Sequence, residues 1–447
     1  MKKNKKTKKL IYVLDSLMIL LNIAGQRGNY LLFLLTGLEQ QFHVTCLVSL
    51  IDAIYIPIRF KGLPMIRSNW RYLLPVFFFI MIPVVNILNR LLDNQGLGTH
   101  LAFFIHQVFF IFLLIGLAKE YLTTIPEKGP SLLTRGYIWL VFISVAGVFL
   151  SFALIKTIGF SQGGVHADYL ESNLDRIGFN YYWCYFTMVM QEFTLRIPFF
   201  QDDGYLMGLY HEPHLFAYSV FPALILLLGI YRKKVSKYLI IAVIVLSFLF
   251  SGSITSMLSL TACLATYFVI NSRRNLWTTL LGVMIVIGGV ILFLSLSDST
   301  FIDFVEFQMD DSGSKQYSES TLMFAFTPKT LLGSNILSPG EYIDELRLAG
   351  IWTSDVGYVC FLLNVSFILS YVINVIKLVT INDALANAVG YASMYYLLHS
   401  AKIGVMVFIN VIPLLLVFLQ YMTLVNYGRR KTVKKTSQLR TSIEIVR

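Results

Sequence analysis

Charged residues are scarce in this sequence. Asp, Glu, Lys and Arg make up 14% of its 447 residues, whereas hydrophobic residues make up 56% and the mean hydropathy is +0.68. A soluble globular domain carries about 25% charged residues, so this composition excludes an ordinary soluble protein. The sequence predicts a polytopic membrane protein instead.

Cysteines are few, and phosphate-binding loops are absent. The cysteines are far apart in apolar surroundings, which excludes a disulfide framework and a thiolate metal site and predicts packing roles for all four: Cys46, Cys184, Cys263 and Cys360. The sequence has no Gly-rich phosphate loop. The topology inferred below also leaves no long cytoplasmic loop for a nucleotide-binding domain, so ATP-driven transport is disfavoured.

Hydrophobic runs indicate the architecture. A membrane-spanning helix needs about 20 mostly apolar residues, or somewhat fewer in a packed bundle. Twelve runs qualify, at 10–25, 44–58, 72–90, 101–118, 136–156, 215–231, 238–251, 254–270, 276–296, 354–376, 384–399 and 403–426. We therefore predict an all-α fold, with residues 1–447 forming a single transmembrane domain of about 12 helices. Residues 26–43 are predicted to hold a re-entrant piece or a differently placed helix, and the aromatic stretch 179–195 an interfacial or re-entrant helix.

The distribution of basic residues indicates the orientation. The net charge is +11, but the basic residues lie in short runs between apolar stretches, which favours cytoplasmic loops over nucleic-acid binding. With a cytoplasmic N-terminus, 27 of the 36 Lys and Arg residues lie on the cytoplasmic side. This bias satisfies the positive-inside rule. It predicts that both termini are cytoplasmic and that residues 427–447 form a basic cytoplasmic tail.

Two long segments, 157–214 and 297–353, then lie outside the membrane. Loops of that length are usually functional or disordered, and neither segment is of low complexity. The densest polar chemistry is in 196–216, at the membrane boundary just before a predicted helix, where Pro213 marks a non-helical start. A polar cluster at such a boundary indicates a functional site. Its candidate residues include Arg196, Asp202, Asp203, His211, Glu212 and His214.

Two features of these segments have structural interpretations. His211, Glu212 and His214 do not have the His-Glu-x-x-His spacing, and Pro213 interrupts the turn that would bring both imidazoles to one face, so we predict no metal. A carboxylate at Glu212 is equally expected to stabilise the start of a helix. Asp355 follows Thr353 and Ser354 and is predicted to be a cap or first-turn acid.

The chain resembles a known family at three places. Gly208 to His214 (Gly-Leu-Tyr-His-Glu-Pro-His) opens a helix, and Ser251-Gly252-Ser253 joins a close helix pair. A late external segment carries Tyr317, Leu331 to Ser334 and Ser354 to Gly357. In this order, and with about twelve spans, these features resemble the O-antigen polymerase (Wzy) family of bacterial envelope glycosyltransferases, which is related to the O-antigen ligases.

The resemblance covers roughly residues 70–425, and it has two departures. Members often have an arginine where this chain has Gly252. Members also often have an arginine shortly before an aromatic residue in the late segment, where this chain has Lys315 two residues before Tyr317. A lysine lacks the planar fork of a guanidinium, which puts bidentate phosphate binding there in doubt. Arg347 is an alternative cation for that role.

The resemblance implies a GT-C-like bundle in the bacterial cytoplasmic membrane. Its implied activity joins undecaprenyl-diphosphate-linked oligosaccharide repeat units into O-antigen or capsular polysaccharide. The catalytic residues would be Arg196, Glu212 and His214, and the substrate-binding residues would be Arg176, His211, Lys315, Tyr317, Arg347 and Asp355. No cofactor is expected. The expected partners are the lipid-linked oligosaccharide, membrane lipids, a chain-length regulator protein and a flippase, with no nucleic acid.

Two other functions stay open. An O-antigen ligase-like transferase differs from a polymerase only in its acceptor, which the sequence does not reveal. A flippase or other transporter is expected to show internal repeats and charged residues within helices. The sequence shows no repeat, and most charges lie in loops, which disfavours transport.

Overall fold

A computed structural model of the protein describes residues 5–26, 29–36, 41–62, 64–65, 69–92, 97–166, 181–191, 199–210, 212–231, 233–251, 256, 259–263, 265–266, 353–403 and 411–446. The protein is mostly helical in these ranges. Its helices are α1 Lys5–Ala24, α2 Leu31–Thr36, α3 Gln41–Phe60, α4 Leu74–Leu92, α5 Gly98–Thr124, α6 Gly129–Leu133, α7 Arg135–Thr157, α8 Phe160–Gly163, α9 Pro213–Ile230, α10 Lys234–Ser251, α11 Thr353–Val379, α12 Ala384–Ile403 and α13 Ile412–Val446, with a 3₁₀ turn at Trp70–Leu73.

Long helices overlap ten of the twelve predicted spans. The run 254–270 is helical where it is described, and 276–296 lies outside the described residues. Among the described residues, six segments are long and apolar enough to cross a membrane: Phe42–Phe60, His100–Thr124, Arg135–Ile158, Pro213–Ile230, Lys234–Ser251 and Leu362–Val379. The protein is therefore a helical membrane protein. The short α2 occupies part of 26–43, where a re-entrant piece is predicted.

A small antiparallel sheet accompanies the predicted helices, which form most of the described structure. Its four strands follow one another in chain order: β1 Gly164–His166, β2 Tyr181–Cys184, β3 Thr187–Met190 and β4 Tyr205–Leu206. The predicted interfacial helix at 179–195 is wrong, because β2 and β3 form a hairpin there. The strands are rich in Tyr, Trp, Thr and Val, which suit a pleated, half-buried surface. The two-residue turn is closed by Tyr185, whose φ is 54°.

The helices run between two ends of the bundle. We use "sheet end" for the end at which α7 finishes at Thr157 and the sheet begins, and "opposite end" for the end at which α5 and α9 finish. Helix α9 packs antiparallel to α12 along its whole length: Gly229 lies against Ala388, and the His214 carbonyl oxygen contacts His399 at the other end of this helix pair. Helix α1 packs closely on α7, since a Cβ added to Gly136 would lie 1.9 Å from the Ser16 carbonyl oxygen.

Helix α13 continues through the predicted basic tail. It runs without interruption to Val446, which is 35 residues or about 50 Å of helix. At the opposite end the Asn426 side chain donates to the Pro126 carbonyl at 2.5 Å, and Arg429 Nη1 donates to the Leu122 carbonyl at 3.0 Å. These contacts hold α13 to the end of α5 where it leaves the bundle.

Some charged side chains lie within the helices, where they are partly or fully buried. At the opposite end Arg59 of α3 donates from Nε and Nη2 to the two carboxylate oxygens of Asp15 in α1, at 2.9 and 3.0 Å. Arg59 also pairs with Glu120 of α5. The Tyr55 and Tyr121 hydroxyls donate to Asp15 at 2.7 and 3.3 Å. We name these five residues the ion cluster.

The described cysteines are free thiols, and they do not all have packing roles. Cys184 and Cys263 are buried, as predicted, whereas Cys46 is exposed on α3. Burial raises the pKa of Cys184 to about 11, with a smaller contribution from the negative charge of Asp203. The Cys184 thiol is therefore protonated at neutral pH and is a poor nucleophile.

Candidate active site

The segment before α9 lies deep in the bundle. The Leu209 N–H donates to Ser144 Oγ at 3.3 Å, and the Gly208 N–H donates to Thr187 Oγ1 at 2.7 Å. Ser144 is in α7, thirteen residues before Thr157, which corresponds to about 20 Å of helix. The sequence places this segment at the membrane boundary, whereas the structure places it about 20 Å below the sheet end of α7.

The hairpin lies along the same side of α7. The Phe186 N–H donates to Ser151 Oγ at 2.9 Å, and a Cβ added to Gly147 would lie 2.7 Å from the Phe186 carbonyl oxygen. Irregular backbone within an apolar bundle is stable only where its N–H and C=O groups find partners. Serine side chains of α7 supply acceptors for this backbone, and Gly147 allows the close approach.

The chain that follows α1 forms a second irregular stretch, and this stretch contacts the segment before α9. The Tyr30 N–H donates to the Leu209 carbonyl at 2.9 Å, and Asn29 forms an isolated antiparallel bridge with Tyr210. Gln26 Oε1 accepts from the Val411 N–H at 3.2 Å, next to the start of α13. Three chain segments distant in sequence therefore meet at one place, which we name the junction: Gln26, Asn29, Tyr30, Leu209, Tyr210 and Val411.

Glu212 and His214 form a close pair beside the junction. Glu212 Oε2 lies 2.6 Å from His214 Nε2. Glu212 occupies the N-cap position of α9 in an extended conformation, and Pro213 begins the helix without needing an N–H partner. The Glu212 side chain makes no capping hydrogen bond, although its carboxylate is at the helix start, where it is favourable to the helix dipole. Its carboxylate instead faces the imidazole, and the residue is only 8% exposed.

His399 supports this pair from α12, and the sequence analysis missed it. The His399 Nε2–H donates to the His214 carbonyl oxygen at 3.0 Å, which makes Nδ1 the acceptor of a long 3.5 Å contact from the Ser256 hydroxyl. Its ring stacks on Tyr395 with centroids 5.6 Å apart. A lone histidine in an apolar run was a usable signal, because ionisable residues within membrane helices often mark functional sites.

Buried tyrosines surround the pair. The Tyr396 hydroxyl donates to the Tyr218 hydroxyl at 2.7 Å, which links α12 to α9 one turn beyond His214. Tyr137 of α7 donates to the Ser219 carbonyl. These contacts hold the first two turns of α9 against α7 and α12.

The other predicted site residues divide into three groups. Asp355 lies in the first turn of α11, which begins at Thr353, as predicted. Asp202 and Asp203 contact Lys156 Nζ at 2.7 and 3.5 Å, near the sheet end of α7. The remaining candidates lie outside the described residues, so their roles stay predictions: Arg176, Arg196, His211, Lys315, Tyr317 and Arg347.

Comparisons with known proteins identify no relative: no family model, curated protein or solved structure matches the chain. Within the part of the chain that the structure describes, no three His, Cys, Asp or Glu side chains are grouped to hold a metal ion. The chemistry of the site is therefore argued from its own geometry.

A substitution at Gly208 tests whether the segment before α9 packs closely on Ser144 of α7. Its φ is +60°, and an added Cβ would lie 2.2 Å from Ser144 Oγ. We expect Gly208→Ala to lower the free energy of unfolding by at least about 1–2 kcal/mol, the cost of a left-handed alanine, and to displace the Ser144 hydroxyl. Equilibrium unfolding in detergent measures this loss. Gly98→Ala is the control, because a Cβ there meets no atom within 4 Å; equal stability of the two variants would contradict the packing.

Proposed function

We propose that the protein polymerises undecaprenyl-diphosphate-linked oligosaccharide repeat units at the outer face of the bacterial cytoplasmic membrane. In this reaction a hydroxyl oxygen on the non-reducing sugar of a new unit attacks the anomeric carbon of the growing glycan. The bond from that carbon to the diphosphate breaks, and undecaprenyl diphosphate leaves. The family resemblance supports this assignment, and the contact between Glu212 and His214 is the structural observation on which it depends.

The pair is suited to remove the proton from the attacking hydroxyl. A glutamate that accepts the Nε2–H of His214 fixes the tautomer of the imidazole and leaves Nδ1 with a free lone pair. This nitrogen then accepts the hydroxyl proton, and the adjacent carboxylate stabilises the imidazolium that forms. The His214 side chain is 24% exposed, so it retains a face toward a substrate while Glu212 is nearly covered.

The leaving diphosphate requires positive charge. Preorganised cations stabilise charge that develops on a leaving oxygen, and Arg176 and Arg196 are the arginines of the segment that precedes the pair. We assign the diphosphate to these two residues, with Lys315 and Arg347 as additional candidates from the late segment. Lys156 is the described cation near the sheet end of α7, but it is paired with Asp202 and Asp203, which reduces its availability for a phosphate.

In the proposed orientation the sheet end faces outward and both termini are cytoplasmic. The basic extension of α13 then lies on the cytoplasmic side, in agreement with the positive-inside rule. The diphosphate is bonded directly to the anomeric carbon under attack, so a base at the depth of Glu212 requires the donor headgroup, together with the reacting sugar, to enter the bundle between α7, α9 and α12. Exclusion of water around such a site strengthens its electrostatic interactions.

Transport of the lipid-linked oligosaccharide is a second candidate. The observation in its favour is the burial of Asp15 and Asp52 and the partial burial of Arg59 and Glu120 within helices, since charged residues inside membrane bundles often line transport paths. Three of the four are members of the ion cluster, in which Arg59 pairs with both Asp15 and Glu120, and such pairing favours a structural role for them. Polymerisation is therefore the function that we propose first.

A deletion strain distinguishes these functions by the glycan that it makes. If the protein is a polymerase, the surface of the deletion strain carries single repeat units in place of long chains. Loss of a flippase would instead leave no surface glycan and would accumulate carrier-linked units, and loss of a ligase would leave long chains attached to the carrier. Gel electrophoresis of surface and carrier-linked glycan separates the three outcomes. Either of the last two would overturn the proposal.

A further inference from the structure

A line of buried polar side chains runs between α1 and α3. Helix α3 contributes Thr45, Ser49, Asp52 and Arg59, whose spacing of three, four or seven residues puts them on one helix face. Helix α1 contributes Asp15 and Asn22. Apart from Arg59, whose side chain is 11% exposed, each of these residues is at most 6% exposed. We name these six residues the polar seam.

The seam connects the ion cluster with the junction. At the opposite end of the bundle Asp15 binds Arg59. Seven residues farther along α1, Asn22 contacts Asp52. Beyond that pair, Thr45 Oγ1 donates to the carbonyl oxygen of Gly25 at 3.0 Å, one residue before Gln26 of the junction. The contact between Asn22 and Asp52 is therefore in the middle of the seam.

The hydrogen bonds of this middle pair are incomplete. Asn22 Nδ2 donates to the Met18 carbonyl at 2.9 Å and to Asp52 Oδ1 at 3.2 Å. Asn22 Oδ1 and Asp52 Oδ2, the second oxygen of each group, have no hydrogen-bond partner among the described residues. Both residues are 0% exposed. Two acceptor oxygens on neighbouring groups lack a donor, and buried acceptors without donors cost free energy.

The charge of Asp52 is also uncompensated. A buried carboxylate is costly unless it is paired, and the described residues form no ion pair with Asp52. Arg59 is on the same face of α3, but its guanidinium is engaged by Asp15 and Glu120. The ion cluster contains two carboxylates and one guanidinium, so its net charge does not favour another anion nearby.

We propose that Asn22 and Asp52 together form a binding site for one proton. The proton is bound on Asp52 Oδ2 and is donated to Asn22 Oδ1, so that the amide and the carboxylic acid exchange two hydrogen bonds. One proton thereby satisfies both unpartnered oxygens and removes the buried charge. A metal cation fits less well, because hard cations such as Ca²⁺ take six to eight oxygen ligands, whereas this pair offers two.

The bound proton would hold α1 against α3. Its release would leave an anion facing Asn22 Oδ1, and the two helices would separate or admit water. The chain continues from the end of α1 to Gln26, Asn29 and Tyr30, which belong to the junction. By fixing α1, the bound proton would therefore also help to position the junction beside Glu212 and His214. Besides Asp52, the titratable and charged residues on the helices packed around the pair, α1, α3, α5 and α7, are Lys5, Lys6, Lys8, Lys9, Tyr12, Asp15, His43, Cys46, Tyr55, Arg59, His100, His106, Lys119, Glu120, Tyr121, Arg135, Tyr137 and Lys156.

Infrared difference spectroscopy of the full-length protein in lipid vesicles tests this site without reference to the proposed activity. The carbonyl band of a protonated carboxylic acid is separate from the bands of a carboxylate. We expect the wild-type spectrum minus that of Asp52→Asn, recorded near neutral pH, to contain a protonated-acid band. A difference that contains carboxylate bands alone would overturn the proposal. Asp52→Asn is close in shape to the native residue, and retention of helical circular dichroism checks its fold.

Two further measurements test the pairing and the cation. Asn22→Ala removes the acceptor Oδ1, so the acid band is expected to shift to the frequency of a more weakly hydrogen-bonded group. A band that does not move would contradict the pairing. Replacing potassium by sodium in the buffer is expected to leave the band unchanged. Its disappearance in sodium would show a metal-ion site and overturn the assignment of a proton.

Discussion

Replacing Asp15 by alanine should reduce the free energy of unfolding by about 3–5 kcal/mol, the usual cost of removing one partner from a buried ion pair. Asp15 is 0% exposed and accepts from both Arg59 and the Tyr55 and Tyr121 hydroxyls. The variant would leave the Arg59 guanidinium largely desolvated, with Glu120 as its remaining carboxylate. Equilibrium unfolding in mixed detergent micelles, followed by circular dichroism, measures the loss.

Glu120→Ala is the matched control for this prediction. Its side chain is 30% exposed, and Arg59 would retain both bonds to Asp15. A partly exposed pair contributes less than a buried one, so Glu120→Ala should cost clearly less than Asp15→Ala. Equal losses for the two variants would show that Asp15 does not hold α1 to α3 and α5 in the way described.

Replacing Glu212 by glutamine should reduce polymerisation by about 10²- to 10⁴-fold, the range found when a general base or its orienting carboxylate is removed. The amide is nearly the same size as the carboxylate, but it cannot stabilise an imidazolium at His214. Rates are measured with purified protein and lipid-linked repeat units, and protein amounts in the membrane are matched by immunoblotting. Glu127→Gln is the control, because its carboxylate is exposed and lies near Arg430 at the opposite end.

A double variant of Glu212 and His214 distinguishes a catalytic role of the pair from a packing role. If Glu212 acts through His214, the double variant Glu212→Gln/His214→Ala should be no slower than His214→Ala alone, because residues that act as a unit are non-additive. Unfolding free energies of all three variants should remain close to that of the wild type. Fully multiplicative losses of rate, or wild-type rates in Glu212→Gln, would remove the pair from the mechanism and leave a structural role.

The amino-acid sequence determined the class of the protein and most of its helices. Apolar runs of the required length predict helices because, without water in the surroundings, a helix satisfies its backbone groups locally. The start of α9 was also predictable, since Pro213 needs no N–H partner in the first turn. The first-turn position of Asp355 in α11 follows from the same kind of local rule.

The tertiary structure alone decided the sheet and the position of the site. The stretch 179–195 is aromatic and half polar, which predicts an interfacial or re-entrant helix. Packing of the Phe186 N–H against Ser151 of α7 favours the hairpin instead. The depth of the segment at Gly208 depends on Ser144, 64 residues earlier in the chain. No local pattern specifies such an approach, because it results from the shapes of two surfaces that meet only in the folded protein.

The partners of the buried charges were likewise decided by the tertiary structure. Arg59 is 44 residues from Asp15 and 61 from Glu120, and His399 is 185 residues from His214. A sequence shows that a charge lies in an apolar run, but it does not show which distant side chain compensates that charge. In a bundle the helix pairs decide this, because burial is tolerated only where packing brings opposite charges or hydrogen-bond partners together.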